Sequence, residues 1–203
     1  MNLPNKLTIF RIILVPVMVI VALLNIKGTF LNIPIQYWII NLIFIIASYT
    51  DHLDGKIARK NNLVTTFGKF ADPLADKILV LAAMLILVEF DKLPAWIPII
   101  VIAREFMVSG YRLIAVEKGG QVIAANIWGK LKTTTQMIAI VLSFLDTNAF
   151  AQFLTTKLTG YNLIINILAT TIMFVSVIAT IFSGWTYMKD GKKMLFDKQT
   201  KQR

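Results

Sequence analysis

The sequence predicts an all-α integral membrane protein with six transmembrane helices and both termini in the cytoplasm. Three observations predict it. Of the 203 residues, 57% are hydrophobic and the mean hydropathy is +0.70, whereas soluble domains are apolar over about half their length even with glycine counted. The apolar residues gather into six runs. The cationic residues divide unevenly between the two sides that those runs define.

The runs cover residues 12–24, 38–49, 78–88, 96–116, 133–145 and 163–184, the fourth interrupted by Arg104 and Glu105. Several are shorter than the ~20 residues that a bilayer core requires, so each helix must extend into polar flanks, the first over 7–26 and the third over 68–90. Ahead of the first span, Leu3, Leu7, Ile9 and Phe10 alternate with Asn2, Asn5, Lys6 and Arg11. That pattern predicts a short interfacial helix lying on the membrane before the chain turns inward. The first run is followed by Asn25, Ile26 and Lys27 with no small-residue cleavage site, so the opening segment is expected to stay. Lys27, Lys92 and Lys157 fall on one side of this topology and the other eighteen of the twenty-one lysines and arginines on the opposite side. Cations near span ends stay cytoplasmic, which orients the chain as a multi-pass protein of the cell membrane. Trp38, Trp96, Trp128 and Trp185 sit near span ends, as an interfacial belt requires, and the basic tail from 189 onward reads as a solvated, lipid-attracted end. No internal boundary is visible, so residues 1–203 are read as one membrane domain, with no nucleic-acid partner expected.

There is no cysteine and a single histidine, His52. Disulfides and thiolate metal sites are excluded and a zinc centre is disfavoured, so any metal must be held by oxygen.

Four of the eleven acidic residues crowd into 26 positions in the frame D-x2-D-G-x2-A-R-x8-G-x3-D-x3-D, which reads Asp51, Asp54, Gly55, Ala58, Arg59, Gly68, Asp72 and Asp76. Like charges held this close raise one another's pKa unless a cation lies between them, and ionisable groups near a bilayer are retained mainly where they act. Helical spacing puts Asp51 with Asp54, and Gly68 with Asp72 and Asp76, on shared faces. Two helices joined by a turn around Asn61 and Asn62 would aim four carboxylates into one cleft on the cytoplasmic side. Such hard oxygen donors suit one or two Mg²⁺ or Mn²⁺ ions, and a metal pair serves phosphoryl displacement. Gly55 and Gly68 leave room for a ligand or neighbouring backbone, Ala58 keeps the same wall low, and Arg59 can fork a phosphate or carboxylate. His52 lies between the aspartates but points about 100° from Asp51 on a helix, so it is read as outside the chemistry. A small cation transporter would also place carboxylates in a membrane, but near mid-span on broken helices.

This frame resembles the signature of the CDP-alcohol phosphatidyltransferase family, membrane enzymes that displace CMP from a CDP-linked lipid with an alcohol, and it matches at every specified position. The segments NLPNKLTIFR, SYTDHLDGKIAR, REFMVSGYR and GKLKTTTQ, spread between Asn2 and Gln136, are similar to members of that family that use a glycerol phosphate acceptor. The resemblance implies a six-helix homodimer whose active site opens to the cytoplasm. It implies that Asp51, Asp54 and Asp72 are metal ligands, that Asp76 is both near the metal and the general base, and that Gly55, Ala58, Arg59 and Gly68 flank the CDP group of CDP-diacylglycerol. It also places Asn5, Thr8 and Arg11 near the nucleotide or lipid phosphate.

The implied reaction transfers the phosphatidyl group to the primary hydroxyl of sn-glycerol 3-phosphate, giving phosphatidylglycerophosphate and CMP. Inositol phosphate, serine or phosphatidylglycerol as acceptor remains the alternative within the family. A phosphorylated acceptor needs a second anion site, for which Arg104, Arg112, Lys130 and Lys132 are the candidates. Arg104 and Arg112 lie about 80° apart around a helix and can lean into one cleft. A pair between Arg104 and the adjacent Glu105 is disfavoured, because neighbouring helical positions point apart.

Overall fold

A computed structural model describes residues 2–60, 65–117 and 127–196; within them, the side chains of 3, 4, 52–60, 66, 67, 69, 70, 115–117 and 190–196 lie outside the description. Among the described residues there are six α-helices: α1 Leu3–Leu23, α2 Ile35–Lys60, α3 Thr66–Glu89, α4 Trp96–Glu117, α5 Ile127–Leu145 and α6 Gly160–Phe196. The expected all-α architecture is what is observed. Two of the helices contain stretches long and apolar enough to cross a bilayer by length and composition, Asn5–Leu23 in α1 and Gly160–Lys189 in α6.

One expectation is corrected. No separate interfacial helix precedes the first span, because α1 runs unbroken from Leu3 to Leu23. Proline stands at its first turn, where the missing N–H costs nothing, and no breaker follows before Pro16. The polar residues of the opening segment are the first turns of the apolar helix itself.

The chain forms two compact units, Met1–Pro94 with Ile140–Ala169, and Ala95–Ala139 with Thr170–Arg203. In the first, α1 packs on both α2 and α3. Its buried positions are Asn5, Thr8, Arg11, Val15 and Met18, a three-and-four spacing that draws one stripe along the helix. The opposite side shows Ile12, Ile13, Val17 and Ile20 to the surroundings. Between helices in lipid there is little hydrophobic drive, so close backbone approach matters more. Gly68, Ala71 and Ala75, all buried on α3, supply it.

Two short connections went unsignalled by the apolar runs. Thr29–Phe30 and Ile33–Pro34 pair antiparallel, closed by Leu31 and Asn32, both at positive φ, as the tightest hairpin turn demands. At the end of α3, Asp91 adopts a positive φ, and the N–H groups of Asp91 and Lys92 return to the carbonyls of Val88 and Leu87, a Schellman stop. Lys92 Nζ then donates to the backbone carbonyl of Asp146. Asp146 Oδ2 accepts from Asn166 Nδ2 at 2.6 Å, which ties the loop after α5 to the start of α6.

In the second unit α4, the first part of α5 and the later part of α6 carry the polar cluster described below. Stacking of Trp128 on Phe182, with centroids 5.2 Å apart, joins its α5 and α6 segments.

Candidate active site

Asp51 lies on α2, and Asp72 and Asp76 lie one turn apart on α3. Both helices are tied to α1 through these aspartates. Arg11 Nη1 is 2.7 Å from Asp51 Oδ1, and Thr8 Oγ1 donates to Asp72 Oδ1. One turn earlier on α1, Asn5 Oδ1 accepts from Thr65 Oγ1 at 2.9 Å, while that same Thr65 oxygen caps α3 by accepting from the Gly68 N–H at 3.0 Å. Asn5, Thr8 and Arg11 therefore face the aspartate frame. Their three-residue spacing among apolar neighbours is the signal in the sequence that could have revealed this role.

Gly68 is where the frame is tightest. A Cβ there would come within 3.2 Å of Asn5 Oδ1, 3.3 Å of Thr65 Oγ1 and 3.5 Å of Asp72 Oδ2. The missing side chain lets three oxygens from α1, the α3 cap and α3 itself approach the backbone closely. One residue after Asp72, Pro73 removes a rung of the α3 ladder, leaving a carbonyl of the preceding turn without its helical N–H partner.

As a metal site, the donors have the right chemistry: short hard carboxylates from two helices, with no thiolate present. Among the described residues, no three histidine, aspartate or glutamate side chains stand close enough to hold one ion. Asp54, Ala58 and Arg59 lie on α2 with side chains outside the described residues, as does His52; the turn at Asn61 and Asn62 also lies outside them.

The second unit assembles most of the predicted anion cluster. Glu105 Oε1 accepts from Arg104 Nη1 at 2.8 Å and from Lys132 Nζ at 2.9 Å. The pair between Arg104 and Glu105 thus forms against the sequence expectation, because a long arginine side chain can reach round to its neighbour although the two Cβ vectors diverge. Arg104 Nη2 donates to Ser183 Oγ, and Arg112 Nη2 donates to Tyr187 Oη at 3.1 Å. Both guanidinium carbons stand 5.7 Å from the centroid of the Tyr187 ring, within reach of a cation–π attraction. Gly129 and Gly184 border Arg104, with a Cβ at either position falling 3.8 Å from Nη2 and 3.4 Å from Cγ respectively. Lys130 does not join the cluster. It is exposed while Lys132 is buried, since residues two apart point about 160° from each other around a helix. Ser183 and Tyr187 on α6 were not foreseen.

The sequence model of the CDP-alcohol phosphatidyltransferase family matches residues 1–182. The chain belongs to this family. Its similarity to individual members extends over nearly the whole length. It is 44% identical to the CDP-diacylglycerol–glycerol-3-phosphate 3-phosphatidyltransferase of Bacillus subtilis over 191 residues, 92% of this chain and 93% of that one. The Haemophilus influenzae protein of the same name is 40% identical over 200 residues, covering 97% and 96% of the two chains, and that of Rickettsia bellii is 36% identical over 197 residues, covering 95% and 96%.

Proposed function

We propose that this protein transfers the phosphatidyl group of CDP-diacylglycerol to the primary hydroxyl of sn-glycerol 3-phosphate, releasing CMP and phosphatidylglycerophosphate. Full-length similarity to relatives bearing that activity in their names supports the reaction. The observation that carries the choice of acceptor is the convergence of Arg104 and Arg112 on Tyr187 with Lys132 beside them, a site suited to a phosphate and unneeded for serine.

In this reading Asp76 accepts the proton of the acceptor's primary hydroxyl. The oxygen attacks the lipid-bearing phosphorus, the bond to the CMP oxygen breaks, and the lipid phosphate ends joined to glycerol phosphate. Asp51, Asp54, Asp72 and Asp76 would hold one or two Mg²⁺ or Mn²⁺ ions, which when bound would offset charge developing at the phosphates. Thr8 and Arg11 fix the orientation of Asp72 and Asp51, while Gly55, Ala58, Arg59 and Gly68 border the CDP group. Most of the acceleration then comes from positioning. The active form is a homodimer of six-span chains with both termini and the site on the cytoplasmic side, as the cation distribution supports.

The test supplies purified protein with CDP-diacylglycerol, Mg²⁺ and one acceptor at a time, with Asp76→Asn as the blank. CMP release with sn-glycerol 3-phosphate and background release with serine is expected. Faster turnover with serine or myo-inositol phosphate would replace the acceptor, and full turnover by the Asp76→Asn protein would remove the base.

A further inference from the structure

Arg104, Arg112 and Lys132 supply three positive charges to the cluster in the second unit, and Glu105 supplies one negative. The side chains of Arg104 and Lys132 are only 12% and 10% exposed, and Glu105 is 19% exposed. Two cations confined this closely repel unless an anion stands between them. One oxygen of Glu105 does that for both, and charge-assisted bonds of this length are the strong, directional kind. From α6, Ser183 holds the second terminal nitrogen of Arg104, and Tyr187 holds Arg112. The Nε of Arg104 is buried without a hydrogen-bond partner among the described residues. A buried donor in that state is costly, and an incoming anion's oxygen would satisfy it.

Resting on the acceptor reading above, we infer that Glu105 is the positioning residue of the acceptor's anion site: it aligns Arg104 and Lys132 and leaves the trio a net two positive charges, the complement of a phosphate monoester dianion. A phosphomonoester carries ~1.5–2 negative charges near neutrality, so the balance favours such a head group over neutral alcohols. Glu105 itself never touches the reacting atoms. Its carboxylate acts through the two cations.

Steady-state titration of each substrate in turn separates this role from a general one, using Glu105→Gln, Glu105→Asp and Arg112→Ala. Glu105→Gln is expected to raise the apparent KM for sn-glycerol 3-phosphate by about tenfold, with the KM for CDP-diacylglycerol within about twofold of the parent. Glu105→Asp keeps the charge but withdraws it by one methylene, so it should raise the acceptor KM by about threefold, between the parent and Glu105→Gln. If Glu105→Gln does not fold, the Asp variant decides, since a carboxylate withdrawn by one methylene should still shift the acceptor KM alone. An acceptor KM that is unchanged or lowered in the Glu105 variants, while Arg112→Ala raises it, overturns the role of Glu105 and leaves the anion site standing. Equal changes in both KM values overturn it as well. An acceptor KM that Arg112→Ala also fails to move removes the underlying site.

Discussion

Arg11 reaches Asp51 at 2.7 Å with its own side chain fully buried, while Asp51 remains 36% exposed. The arginine is the largest wholly buried side chain of the first unit's α1, and it is placed on the aspartate that begins the frame. Burying a guanidinium is tolerable only with such a partner. The ion pair therefore fixes α1 against α2 at the point where the acid cluster starts.

Replacing Arg11 with Met keeps the bulk and removes the charge. The open side of Asp51 moderates the cost, so a loss of about 2 kcal/mol is expected rather than the larger values of fully enclosed pairs, together with reduced turnover. Arg11→Lys should fall between, since an ammonium lacks the guanidinium fork. Thermal unfolding in detergent reads both, and a Met variant as stable as the parent would remove the pair as a structural tie.

Thr8→Val deletes the hydroxyl that donates to Asp72 while conserving shape. A lost hydrogen bond to a carboxylate is worth about 1.5 kcal/mol, or roughly tenfold in turnover if Asp72 must be held in place for the reaction. Thr8→Ser restores the donor and should restore the rate. Equal rates for the Val and Ser proteins would show that Asp72 does not depend on this tether.

Gly68→Ala and Gly110→Ala make opposite demands. At Gly68 the new methyl meets Asn5 and Thr65 oxygens at 3.2 and 3.3 Å, and these oxygens are already bonded to one another and to the Gly68 N–H. They have little freedom to retreat, so turnover should fall by about tenfold or more in a protein that still folds. At Gly110, inside α4, a Cβ would meet no atom within 4 Å beyond the helix's own backbone and its chain neighbours among the described residues, and the change should stabilise the helix by about 0.5–1 kcal/mol. CMP release and melting temperature measured side by side would expose either error.

Burial pulls the amine of Lys92 down to about 8 from the ordinary 10.5, with the charge of Asp146 opposing the shift. Below pH 8 both folded and unfolded chains hold this proton and it adds no slope. Between pH 8 and 10.5 the unfolded chain holds more of it, so stability gains a rising contribution across that window. Lys92→Met should lack this rise, whatever its absolute stability. Melting temperatures from pH 7 to 10 supply the two slopes, and parallel curves would contradict the assignment.

The sequence alone determined the helices and singled out the frame by its residue types and spacing. An apolar run is a local property, and eight specified positions within 26 residues are read in a line without knowledge of contacts. The hairpin at Leu31 and Asn32 escaped because neither residue is a typical turn glycine. What periodicity supplies is the face a residue occupies, never the partner that face will meet. Only the folded chain decided that Thr8 and Arg11 hold Asp72 and Asp51, that Lys132 turns inward while Lys130 stays out, and that Glu105 binds its neighbour and a lysine from another helix. Each of these joins residues distant along the chain or bends a long side chain against its helical direction. Pairing of that kind is set by how backbones pack and which buried charges must be neutralised, and those are properties of the assembled helices.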